Sequence, residues 1–292
     1  MAESKLAVGN VEIVALTDID VDLPIPLSHL FPGVSAETWA PFQQRYPDAF
    51  SGPDVWRAHF GGFLIRSQGR TILVDTGLGS VASNPGTVTA FAAGVDGQLM
   101  AGLRAEGVDP ENVDTVFFTH LHPDHVGWNV TRRGTSTRAT FSKARYVAHQ
   151  ADWQAFQQPE VQKAFPFSFW EETLGPLEQL GVLDLLSGEQ TLTSDVTAIH
   201  TPGHTPGHMS LRIASRGQRA YIFGDAAHTP AQATEPDWRF SFDMDQAQAI
   251  QSRRQLFDRV EAENATLAVC HYHRFGRLVR TQGRRYWQSI SV

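Results

Sequence analysis

The segment Val-Asp-Thr-Val-Phe-Phe-Thr-His-Leu-His-Pro-Asp-His, residues 113–125, constrains this chain more than any other stretch. Its apolar first half reads as a buried strand. The strand empties directly into side chains that bind metals or move protons. In extended chain, residues two apart face the same way, so His120 and His122 project together while Leu121 turns into the core. Pro123 suits the first position of a helix, which places Asp124 and His125 in its first turn, aimed back across the same space. Three imidazoles and a carboxylate at a strand end form two potential ligand pairs. A plain polar turn gives these four residues no packing role.

A second histidine-rich stretch, His-Thr-Pro-Gly-His-Thr-Pro-Gly-His at 200–208, spaces His200, His204 and His208 four apart. On a helix that spacing would make a stripe. Pro202 and Pro206 lack donors, and Gly203 and Gly207 lack helix propensity, so the segment is a loop whose side chains point where turns send them.

The net charge of −7, with no long basic run, argues against nucleic acid as a partner. No apolar stretch approaches the roughly 20 residues that span a bilayer, so no membrane association is expected. The first residues, Met-Ala-Glu-Ser-Lys-Leu-Ala-Val, lack a charged-then-apolar signal segment, and a cytoplasmic location is the expectation. A single cysteine, Cys270, excludes an internal disulfide and all multi-cysteine zinc sites. At 292 residues, the chain suits one large domain, residues 1–292, or two tightly fused halves.

Strands are expected at 11–23, at 60–77 around a turn at Ser67–Gly69, and at 113–120, 144–150, 196–200, 209–215, 219–225, 266–273 and 276–282. Helices are expected near 36–45, at 96–107 and at 245–264, the last capped by Asp243 or Asp245. Residues 24–57 are rich in proline and aromatics, and 151–187 read as a helical, aromatic insertion. Both halves share a rhythm of hairpin, helix and strand ending in a polar loop, which points to a weak internal duplication.

His120-Leu-His-Pro-Asp-His125 resembles the His-x-His-x-Asp-His signature of the metallo-β-lactamase superfamily. Leu73-Val-Asp-Thr-Gly77, Pro202-Gly-His-Thr-Pro-Gly-His208, Phe223-Gly-Asp225 and His271 resemble that family's further motifs, in its order. The resemblance implies an α/β fold, an αββα sandwich with two divalent metal ions at one edge. It implies that His120, His122 and His204 hold the first ion, that Asp124, His125 and His271 hold the second, and that Asp225 bridges both. His271 is favoured over His273 because it precedes a glycine by five residues, as in the family. Zinc is the usual ion for such nitrogen and oxygen ligands, and iron, cobalt or manganese suit them too. Asp75 and His208 are expected to stand behind the ligands and hold them. Ser210 and Cys270 are expected to be structural, and His29, His59 and His149 carry no motif.

The chemistry so implied is hydrolysis. A metal lowers the pKa of its bound water from about 15.7 towards roughly 7, so a metal-bound hydroxide is the expected nucleophile. Asp124 could orient it or shuttle its proton. The N-terminal stretch and Gly224-Asp-Ala-Ala-His-Thr-Pro230 resemble the branch containing acyl-homoserine lactonases and methyl parathion hydrolase. That branch implies lactone or ester hydrolysis, with aryl phosphotriester hydrolysis or a non-catalytic metal-binding role as alternatives. Its lactonases carry a substrate-contacting tyrosine three residues after the bridging aspartate. Here that position is His228, which becomes a candidate catalytic residue. Phe50, Trp56, Phe60, Trp128, Trp153, Phe165, Phe169 and Trp238 are candidates to line an apolar pocket for an acyl or aryl group of a small-molecule substrate. A homodimer is compatible with the sequence.

Overall fold

A computed structural model describes residues 4–165 and 169–290. Residues 166–168, inside the expected aromatic insertion, lie outside that set, as do the side chains of Arg133 and His273.

Alternation of apolar residues builds two stacked sheets. The first runs Ser4–Val8, Val11–Asp22, Val55–Ser67, Arg70–Val74, Thr115–Phe117, Arg145–His149, Leu183–Leu186, with Phe50–Gly52 paired to one side. The second runs Gln190–Thr193, Val196–His200, Met209–Ser215, Gln218–Ile222, Thr266–Val269, Tyr272–Thr281, Arg284–Ser289. Ile13, Ile72, Val74 and Phe117 of the first sheet pack with Val196, Leu211, Ile213 and Ile222 of the second, in the layer between them. Their neighbours Val14, Leu73 and Val116 point the other way, into a cluster with Leu99 and Leu103 of the helix Leu99–Ala105. On the far side, Tyr221 and Leu267 meet Leu256, Phe257 and Val260 of the helix Gln246–Ala262. A period of two thus buries both faces of each sheet, and the order of layers is helix, sheet, sheet, helix.

Each sheet begins as antiparallel hairpins and then gains a parallel strand after a helix. Arg70–Val74 pairs parallel with Thr115–Phe117, and Gln218–Ile222 with Thr266–Val269. That shared plan is the rhythm read in the two halves of the sequence.

Three expectations need correction. The segment 151–187 is not helical throughout. Short helices at Gln150–Phe156, Pro159–Gln162 and Gly175–Gln179 and a π-helical turn at Trp170–Leu174 give way to the strand Leu183–Leu186. Gly181, at φ +68°, ends the helical run, and Leu183–Leu186 then pairs parallel with Arg145–His149. The chain does not enter a helix at Pro123 either. It makes one turn, with His125 N donating to His122 O at 3.0 Å, and then Gly127 N and Trp128 N donate to Gly77 O and Thr76 O. Those donors are taken by a neighbouring loop, so no helix can propagate. The final strand, Arg284–Ser289, has no counterpart among the expected elements.

Candidate metal centre

The ends of strands from both sheets meet at one edge of the sandwich. His120, His122, Asp124 and His125 follow Thr115–Phe117, and His204 lies in the loop between Val196–His200 and Met209–Ser215. Asp225 follows Gln218–Ile222, and His271 follows Thr266–Val269. Gly224, at φ +61°, makes the sharp entry to Asp225. A Cβ there would meet His208 Nε2 at 2.6 Å and Thr119 Cβ at 2.8 Å.

Two groups of potential ligand atoms result. His120 Nε2 and His204 Nε2 stand 3.0 and 2.9 Å from His122 Nδ1. Asp124 Oδ2 lies 3.4 Å from His125 Nε2 and 3.6 Å from His271 Nε2. Asp225 sits between the groups. Its Oδ2 is 2.9 Å from His271 Nε2, 3.5 Å from His204 Nε2 and 3.8 Å from His120 Nε2, and its Oδ1 is 3.5 Å from His125 Nε2.

Partners on the far side of each ring fix which nitrogen carries the proton. Asp75 accepts from Thr119 N at 2.8 Å, from Thr119 Oγ1 at 2.7 Å and from His125 Nδ1 at 2.9 Å. His120 Nδ1 faces Thr119 Oγ1, His204 Nδ1 donates to Asp243 Oδ1, and His271 Nδ1 donates to the carbonyl of His59. With Nδ1 protonated, the Nε2 lone pairs of these rings all turn inward. Neutral imidazoles are what the site favours at His120 and His122, where burial holds both well below the usual histidine range. Crowded lone pairs, with His125 Nε2 and Asp225 Oδ1 buried and without a hydrogen-bond partner, are a misfit for a bare protein. The same donors fit divalent cations, and these clusters could hold metal ions.

The histidines of the 200–208 loop have three separate placements. His204 joins the ligand group. His208 Nδ1 donates to Thr201 O while its Nε2 accepts from Asp225 N at 2.9 Å, so it holds the backbone of Asp225 and not His204. Burial drives its pKa down to about 3, which keeps it neutral for that double task. His200 is exposed, bonded to Pro206 O and stacked on His149.

An apolar cavity opens over the cluster, with His122, Asp124, His204, Asp225 and His271 at its base. Its walls are Leu23, Ile25, Leu30, Trp56, Phe60, Phe91, Phe165, Phe240 and Phe242. Trp56, Phe60 and Phe165 are thus where the sequence reading placed them. Phe50, Trp128, Trp153, Phe169 and Trp238 are not among the lining residues. Phe50 and Trp238 pack around Trp39, Trp153 and Phe169 lie in the cluster under the first sheet, and Trp128 donates its indole N–H to Asp18. His228 is also not at the wall. Phe240 stacks on it at 3.6 Å between ring centroids and takes the cavity-facing position itself. His228 lies behind Phe240, with its Nε2 3.5 Å from Asp225 Oδ2. Phe240, Phe91 and Phe242 are absent from the sequence-based candidates because no motif surrounds them, and Asp243 appears there only as a candidate helix cap.

Fold and site together define an αββα sandwich with a histidine–aspartate centre at one edge. The chain belongs to the Metallo-beta-lactamase superfamily, whose profile matches residues 62–271. It is 28% identical over 179 residues to an N-acyl homoserine lactonase of Bacillus sp, a stretch covering 57% of this chain and 63% of that protein. The match thus spans less than two thirds of the lactonase's length. Among solved structures, the hydrolase AbOPH of the beta lactamase superfamily superposes with a TM-score of 0.80 at 23% identity, covering 99% of this chain and 97% of that one. AidC, a dizinc quorum-quenching lactonase in complex with a product, superposes with a TM-score of 0.80 at 22% identity, covering 100% and 98%. At such identities the likeness establishes the fold.

Proposed function

We propose that the chain is a hydrolase holding two divalent metal ions, which opens lactones or cleaves related carboxylic esters bearing an apolar acyl or aryl part. The observation that carries this reading is the convergence of three imidazoles, with the His120 and His204 Nε2 atoms each about 3 Å from His122 Nδ1, faced by Asp225, at the base of an apolar cavity. His120, His122 and His204 would hold one ion, Asp124, His125 and His271 the other, and Asp225 would bridge. Five imidazoles and two carboxylates without a thiolate suit zinc, and equally iron, cobalt or manganese. When bound, such ions supply a water nucleophile activated at neutral pH and a Lewis acid for the scissile group.

The chain's own residues do the remainder. Burial lifts the Asp124 carboxyl, but the attraction of the neighbouring His125 and His271 carries it down to about 2. Asp124 is therefore ionised at neutral pH and, at the cavity base, able to orient the nucleophile or take a proton on a carboxylate oxygen. Trp56, Phe60, Phe165 and Phe240 keep water from the apolar part of the substrate. Among the described lining residues, the carboxylates are Asp124 and Asp225 and no lysine or arginine is present, which favours an uncharged substrate.

The aromatic wall also suits an aryl leaving group, so aryl phosphotriester hydrolysis is the second reading. An activity panel of lactones, esters, phosphotriesters, thioesters and β-lactams, on protein of known metal content, tests both. The highest kcat/KM is expected on a lactone or ester. A much larger value on the phosphotriester would reverse the order.

A further inference from the structure

Behind His204 lies a buried ion pair that no motif announces. His204 Nδ1 meets Asp243 Oδ1 at 2.9 Å, and Asp243 Oδ2 accepts from Arg253 Nη2 at 3.2 Å. Both charged side chains are fully enclosed. Arg253 spends its other donors on backbone: Nε on Ala226 O at 2.6 Å, and Nη1 on Pro236 O at 2.9 Å and Trp238 O at 2.8 Å. Ala226 is the residue after Asp225. The strap 236–245 is tied to the histidine loop as well, since Met244 N and Asp245 N donate to His204 O and Gly203 O. Asp245 then caps the helix Gln246–Ala262 that carries Arg253.

A guanidinium in this position costs desolvation that one carboxylate seldom recovers. A packed apolar pair would serve a core better. What the pair does supply is a charged acceptor at His204 Nδ1, which holds the proton there and leaves Nε2 as the lone pair. It is also locked to the segment that emerges from Asp225. We infer that Asp243 and Arg253 form a positioning pair for the metal site, setting His204 for the ion held by His120, His122 and His204. Asp75 has the matching task on the other side, since it holds His125, so each ion site has its own carboxylate behind it. The inference rests on the two-ion reading above.

The test is metal binding to Asp243→Asn and Asp75→Asn beside the native protein, by competition with a chromogenic chelator and by elemental analysis. Circular dichroism of each metal-free protein serves as the folding check. Native protein should take up two divalent ions. Asp243→Asn should weaken one of the two binding steps by roughly ten- to hundred-fold and leave the other unchanged. Asp75→Asn should weaken the step that Asp243→Asn spares. Cobalt(II) spectra identify which step is lost. Should Asp243→Asn fail to fold, Arg253→Lys keeps a buried cation while losing the planar fork, and should weaken the same step by a smaller factor. Two ions bound with native affinity by a folded Asp243→Asn or Arg253→Lys protein, or both steps weakened alike, would overturn the inference. A native protein that binds no ion would instead overturn the two-ion reading itself.

Discussion

Asp75 is the residue on which most of the site's geometry leans. It sits at φ +59°, fully buried, and accepts from Thr119 twice and from His125 once. Removing it by Asp75→Ala takes the acceptor from these three buried donors and from the weak Cys270 Sγ donor as well, so roughly 1–3 kcal/mol of stability should be lost for each group that stays dry. Chemical denaturation against the native protein checks this. His120→Ala and Asp225→Ala should cost hydrolysis by several orders of magnitude while leaving the far-UV circular dichroism native, because they delete ligands and not core. Asp152 offers a pH test. Burial pushes its carboxyl up to about 6, against hydrogen bonds from Thr205 and Gly207. An acid raised above its ordinary value of 3.8 contributes stability that is whole below about 4 and lost as pH rises through about 6. Asp152→Asn should therefore gain on the native protein across that window in denaturation midpoints, and a pH-independent difference would contradict the assignment. At this scale the clustered histidines and aspartates were legible because each follows a short apolar run. Their supports were not, since Asp243 lies 39 residues from His204 and His59 lies 212 from His271, with no local pattern to join them.

The 200–208 loop is set by local chemistry only in part. Proline and glycine excluded a helix from sequence alone, and the structure has a bend at Gly203–Thr205 and a turn at Pro206–Gly207. What local chemistry could not reveal is how closely the loop approaches the helix Gln246–Ala262. Gly203, at φ +132°, would place a Cβ 2.1 Å from Ala249 N. Gly203→Ala combines a disfavoured φ with a backbone clash. It should lower stability by about 2 kcal/mol or more, read as a fall in Tm, and should loosen His204 with it. The misread helix at Pro123 has the same origin. Helix-start signals are local, whereas the competing acceptors Gly77 O and Thr76 O come from a loop some fifty residues earlier.

For the whole molecule, strand alternation and the hairpin–helix–strand rhythm of the two halves made the layers readable, and the ordered motifs made the family readable. The cavity was only half readable. Residues 24–57 and 151–187 do reach it, through Ile25, Leu30, Trp56 and Phe165. Yet aromatics in this chain serve core and wall alike, and sequence does not say which face of Trp39 or Phe31 each neighbour takes. Phe31, Trp39 and Trp238 pack against one another, and Phe240 lies over His228. The proposal to be tested is that the histidine–aspartate edge works by holding two metal ions over which an ester or lactone is cleaved. It is tested most directly by stripping the protein of metal, assaying lactone and ester hydrolysis, and titrating a divalent ion back. Activity should vanish on stripping and return in proportion to ion bound, saturating at about two per chain. Full hydrolysis by rigorously metal-free protein would contradict it.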